Sequence, residues 1–222
     1  MTRYDRNSKL PQLFERLYDL FPLDRKTLAV PFPRSCATIG IHVLIDWSNI
    51  YVGFVKNAQR QTKTSRRYVV DLEIFDLIIA RGRPCISRTI AGSQATLLAE
   101  DSEMAKALGY NTYQFELEFD EILQKRVERG VDEVLCFQLD EITKARTPGT
   151  IVLATGDGQR SSLNSEVSFY MAVEKALNNG WTVELYSFGH QLSHHWTILK
   201  RNFPTKFVYI YLDEFIGILD SC

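Results

Sequence analysis

Three aspartates stand where chemistry is commonly done. Asp46 directly follows the apolar run IHVLI, Asp157 follows TIVLATG, and Asp132 opens the helical phrase VDEVL. Runs that are apolar throughout, such as HVLI and IVLA, are expected of strands buried on both faces of a mostly parallel sheet. In open sheets of that kind ligands bind beyond the carboxyl ends of the strands, where the topology switches. Asp46 and Asp157 are therefore expected at the ligand-binding end. Acids drawn from separate strand ends crowd together cheaply only where a cation neutralises them. Asp132 has a second explanation, because an acid in the first helical turn complements the positive end of the helix dipole. Gly156 and Gly158 flank Asp157, which allows close backbone approach to a ligand or simply a tight turn.

Positioning these acids needs alternating strands and helices, and the chain reads that way. Strand-like runs at 41–46, 84–92, 112–119, 150–156, 181–188 and 207–212 alternate with helical patterns at 71–80, 94–108, 132–145, 165–179 and 191–202. The expectation is an α/β fold of three layers, a mostly parallel central sheet flanked by helices. Ahead of it, Leu10, Leu13, Phe14, Leu17, Leu20 and Phe21 recur at helical spacing with Ser8 as N-cap and Pro11 in the first turn. Pro22, Pro31 and Pro33 then mark an extended linker. The chain thus divides into an N-terminal amphipathic helix and linker over 1–37 and the main domain over 38–222.

Composition narrows the function classes. With 26 basic and 27 acidic residues among 222, nucleic-acid binding cannot come from a whole-molecule field and needs a local patch. One candidate is the acid-free stretch between Lys56 and Val70, where Arg60, Lys63, Arg66 and Arg67 form either a loop that follows a phosphate backbone or a solvated insertion. The four cysteines include no CxxC pair, so neither a zinc ribbon nor a disulfide framework is expected. No apolar run approaches the roughly 20 residues that span a bilayer, and the N-terminus lacks a signal-peptide core. An intracellular protein of cytosol or nucleus, with no membrane partner, is expected. Neither a Walker lysine loop nor a G-x-G-x-x-G follows the first strand, which disfavours a nucleotide-dependent enzyme. Tyr51 and Phe54 read as helix packing, His194 and His195 as surface or packing residues. Glu116, Glu118, Asp120 and Glu121 read as the wet face of a half-exposed strand.

The phrases HVLIDWSNI, RGVDEVL, TIVLATGDG and VEKALNNGWTVELYSF, in this order, resemble the NYN domain, a branch of the PIN-like metal-dependent ribonucleases, over about Ile39 to Leu212. The resemblance implies a PIN-like fold and an endoribonuclease that hydrolyses RNA. It implies that Asp46, Asp132 and Asp157 bind Mg²⁺ or Mn²⁺ and that Asn49 helps arrange them. Hard divalent cations held by carboxylates suit that chemistry, since they acidify a water and stabilise a leaving oxygen. The family pattern continues with a further acid two residues after the first, where this chain has Gln159. Glu166, shortly before Phe169, either takes that role or is a helix-dipole acid. Two readings stand open: a metal-dependent endoribonuclease, and a weakened module acting in RNA binding or protein interaction. The N-terminal helix is a candidate surface for a protein partner or self-association.

Overall fold

The computed structural model describes residues 3–22, 40–63, 66–121, 124–145, 147–158 and 168–221. Six strands, β1 (Ile41–Asp46), β2 (Cys85–Ser93), β3 (Asn111–Phe115), β6 (Thr150–Ala154), β7 (Thr182–Ser187) and β8 (Phe207–Tyr211), form one parallel sheet in the order β3-β2-β1-β6-β7-β8. β4 (Leu117–Asp120) and β5 (Lys125–Glu128) pair with each other, antiparallel and outside that sheet.

Side chains alternate across the sheet and fill two cores. Val43 and Ile45 point into one, with Val152 and Ala154 beside them; Leu44 points into the other, with Ile151 and Leu153. The first core is closed by α1 (Arg3–Leu20), α2 (Trp47–Thr62), α3 (Leu72–Ala80), α4 (Ala99–Ala107) and α8 (Ile216–Leu219). The second is closed by α5 (Val131–Ala145), α6 (Phe169–Asn178) and α7 (His195–Asn202). Every residue of β1 is buried, which is why Val43, Leu44 and Ile45 run apolar without alternation. The three-layer α/β expectation holds. No helix among the described residues is long and apolar enough to cross a membrane.

Several boundaries differ from the sequence expectation. The single strand expected over 112–119 breaks at Glu116. β3 lies at the sheet edge, and the chain beyond it satisfies its backbone by pairing with β5, whose KRVE carries no apolar alternation to announce it. α1 begins at Arg3 rather than after Ser8, so Pro11 lies inside the helix, where it forgoes one backbone bond. Leu13 and Leu17, one turn apart, are completely buried in the first core, and Arg16 pairs with Glu214 at 3.0 Å. α1 therefore folds back on the domain. The helix expected from Gln94 starts only at Ala99, because Thr96 and Leu97 bond back to the Ser93 carbonyl (3.0 and 2.8 Å) in a turn. The helix expected from Gln191 likewise starts only at His195. α2 runs on to Thr62, so Arg60 is helical rather than part of a loop.

Candidate active site at the ends of β1 and β6

β1 lies between β2 and β6, and the direction of strand order reverses there, which makes the gap between the β1 and β6 ends the switch point of the sheet. The register Ile45↔Ala154 sets the residues after β6 beside Asp46. Buried Thr155 donates its Oγ1 hydrogen to Asp46 Oδ2 at 3.0 Å and accepts from the Asp157 N–H at 3.1 Å. Asp46 Oδ1 accepts from the Asn49 N–H at 3.0 Å and so caps α2. Asn49 Oδ1 in turn accepts from the Gly156 N–H at 2.7 Å. Both strand ends are thereby tied into one hydrogen-bonded unit. A Cβ at Gly156 would stand 2.8 Å from Gln191 Cβ and 3.0 Å from Asn49 Oδ1, so only glycine lets these segments approach. With its side-chain amide turned so that both ends are satisfied, Gln191 donates to the Asn49 carbonyl at 3.2 Å and accepts from the Gly53 N–H at 3.3 Å, which fastens the loop after β7 onto α2.

A cavity of about 370 Å³ opens at this point, lined by Asp46, Asn49, Glu128, Asp132, Asp157 and Gln191, with Ser48, Arg129 and Glu133 also on its wall. The structure thus gathers four of the residues that the sequence singles out, Asp46, Asn49, Asp132 and Asp157. Sequence reasoning missed Glu128, which the β4–β5 hairpin delivers and to which Ser48 Oγ donates a hydrogen bond. It also missed Thr155, Ser48 and Gln191. A neighbouring cavity of about 580 Å³ shares Asn49, Asp157 and Gln191 and extends to Ser193, His194 and His195. Those two imidazoles, expected only at the surface or in packing, have ring centroids 3.9 Å apart on its wall.

Other expectations find no place at the cavity. Gln159 and Glu166 lie outside the described residues. None of Arg60, Lys63, Arg66 and Arg67 lines either cavity. Arg60 and Lys63 lie about 16 and 21 Å further along the α2 axis than Asn49, at 1.5 Å per residue, and Arg66 is engaged by Asp220.

The acids strain against one another. Burial pushes Asp46 up to about 8; its bonds from Asn49 and Thr155 pull the other way, and the negative charges of Asp132 and Glu128 add to the rise. Asp132 is exposed as a residue, yet its carboxyl is hemmed in enough to be raised to about 6, with Asp157, Glu133 and Glu128 contributing repulsion. The thiol of Cys136 is pushed up to about 12 by burial first, then by Asp132 and Glu133.

Such a set suits a hard divalent cation in its donors, all oxygen. Among the described residues no three His, Cys, Asp or Glu side chains stand close enough to ligate one ion together. The cavity, at about 370 Å³, has room for an ion together with several waters. That fits an ion which keeps part of its hydration shell, as Mg²⁺ does. The raised Asp46 and Asp132 are the penalty that a cation would relieve.

No family model matches the chain, and no curated protein matches it. Among solved structures, a protein of unknown function from Vibrio parahaemolyticus superposes with a TM-score of 0.53 at 16% sequence identity, over 81% of this chain and 98% of that one. That similarity is one of fold.

Proposed function

We propose that the chain is a metal-dependent endoribonuclease of NYN type that hydrolyses RNA phosphodiester bonds at the cavity between β1 and β6. The observation that carries this reading is the convergence of Asp46, Asp132, Asp157 and the unanticipated Glu128 on one wall at the switch point of the sheet. Asp46, Asp132 and Asp157 would hold Mg²⁺ or Mn²⁺ there partly through its remaining waters, and the ion would supply Lewis acidity to the attacking water and the leaving oxygen. The chain's own residues do the rest. Thr155 and the Asn49 N–H fix both oxygens of Asp46, while Asn49 Oδ1 fixes the turn that carries Asp157. Glu166 supplies the further acid that the NYN pattern places near Gln159. The chain acts where RNA is, in cytosol or nucleus.

The second reading, an RNA-binding module without turnover, is favoured by one observation, that no three ligand-type side chains among the described residues stand together. Incubating the purified chain with end-labelled single-stranded RNA in Mg²⁺, in Mn²⁺ and in EDTA separates the two. The enzyme reading predicts internal cleavage with either ion and none in EDTA. RNA bound but intact in every buffer would select the second reading.

A further inference from the structure

The β4–β5 hairpin lies outside the main sheet, and its two faces differ. Register pairs Leu117 with Glu128, Glu118 with Val127, Phe119 with Arg126 and Asp120 with Lys125. Residues directly opposite share a face, and so do residues two apart in one strand. One face therefore carries Leu117, Phe119, Arg126 and Glu128; the other carries Glu118, Asp120, Lys125 and Val127.

The second face is internally neutralised, because Arg129 reaches back to Asp120 at 2.9 Å and Glu118 at 3.7 Å. The first face begins at the acid cavity, since Glu128 is part of its wall and is bonded from Ser48. One residue pair outward, about 7 Å along the strand, stand Phe119 and Arg126. Phe119 is 59% exposed and belongs to neither core. Arg126, opposite it, is exposed as well. Among the described residues, this aromatic ring and guanidinium, side by side and leading outward from a cluster of carboxylates, pack into neither core.

We propose that this face is the bed on which single-stranded RNA lies as it leaves the cavity, with a base stacked on Phe119 and a phosphate against Arg126. The inference rests on the ribonuclease reading above and deepens it by naming the substrate class. Stacking on an exposed ring needs a base free of its duplex, and every base has a face to offer, so the bed selects unpaired RNA with little regard to sequence. It also answers an electrostatic difficulty. A chain with 26 basic and 27 acidic residues and an acidic cavity cannot hold a polyanion by overall charge. A stacked base with one adjacent cation holds the strand beside the acids without relying on that charge.

The test measures binding of a fluorescein-labelled, unstructured oligoadenylate by anisotropy in Mg²⁺ buffer, every protein carrying Asp157→Asn so that the strand stays whole. Phe119→Ala is expected to lower affinity about fivefold or more, in line with the loss of one stacked base. Phe119→Tyr should restore it, and Phe119→Leu should not. Arg126→Ala should flatten the log–log salt dependence by about 0.7 of a unit. A blunt-ended RNA duplex should bind Phe119→Ala and its parent alike. Melting temperatures should not move, because both side chains are exposed. Unchanged oligoadenylate affinity in Phe119→Ala and Arg126→Ala, with binding by the parent, would overturn this inference and leave the ribonuclease reading standing. A change in sedimentation with RNA affinity intact would assign the face to protein contact and overturn it too. No RNA binding by the parent would remove the functional reading and this inference with it.

Discussion

Replacing Asp46 by Asn should stabilise the ion-free protein at neutral pH, although Asp46 is the best-connected residue of the site. The carboxyl is 4% exposed, and its pKa stands at about 8 against an ordinary 3.8. Between those values the folded chain keeps a proton that the unfolded chain has released. The stability that Asp46 contributes is thus fully present below about pH 4 and is lost as pH rises toward 8, at about 1.4 kcal/mol per pH unit. At pH 7 the loss is about 4 kcal/mol, and at pH 5 well under half of that, by the same conversion. An amide at position 46 resembles the protonated acid. Its oxygen still accepts from the Asn49 N–H, and its NH₂ faces Thr155 Oγ1. Urea unfolding in EDTA, followed by tryptophan fluorescence, should therefore show Asp46→Asn more stable than the parent by up to about 4 kcal/mol at pH 7 and by clearly less at pH 5. A variant less stable than the parent at pH 7, or an equal gain at both pH values, would refute the burial and repulsion assigned to this carboxyl.

The same shift predicts that divalent-ion binding at pH 7 releases about one proton, because a group with a pKa near 8 is still mostly protonated there. Calorimetry of Mg²⁺ or Mn²⁺ binding in two buffers of different ionisation enthalpy counts it, and binding without release would remove Asp46 from the ligands. Gly156→Ala should cost about 1–3 kcal/mol by overpacking, since its Cβ would meet Gln191 and Asn49 at 2.8–3.0 Å; unchanged urea stability would contradict the fastening of that loop. Changing Arg60, Lys63 and Arg67 to Ser should leave the salt dependence of RNA binding as it is, because none of them lines the cavities. A slope lowered by about 0.7 per residue would place the strand along that segment after all.

What the sequence disclosed follows from what is local in it. β1 and β6 are legible because burial on both faces makes Val43–Ile45 and Ile151–Ala154 apolar without a break, and Asp46 and Asp157 are legible because each follows such a run. Thr155 is not. Its bond to Asp46 exists only because β1 and β6 are neighbours in the register Ile45↔Ala154, and pairing of that kind has no imprint in a single chain. Glu128 is hidden for a related reason. KRVE has neither strand alternation nor helical period, and the hairpin that brings it to Ser48 forms because the chain has run out of sheet beyond β3. The basic stretch after Lys56 shows the reverse case, conspicuous charge that is not gathered at the cavities. Its charges are conspicuous in sequence, but α2 runs away from the site and carries Arg60 with it.

We propose that the acids at the β1 and β6 ends perform metal-dependent RNA cleavage. This is tested most directly by a single-turnover assay on end-labelled single-stranded RNA in Mn²⁺, comparing the parent chain with Asp157→Asn. The parent should cut the strand internally, and Asp157→Asn should bind it at least as tightly, since removing one of several crowded acids lowers the negative charge of the cavity, while cutting none. Cleavage at an undiminished rate by Asp157→Asn, or a parent that binds the strand and leaves it whole, would contradict the account.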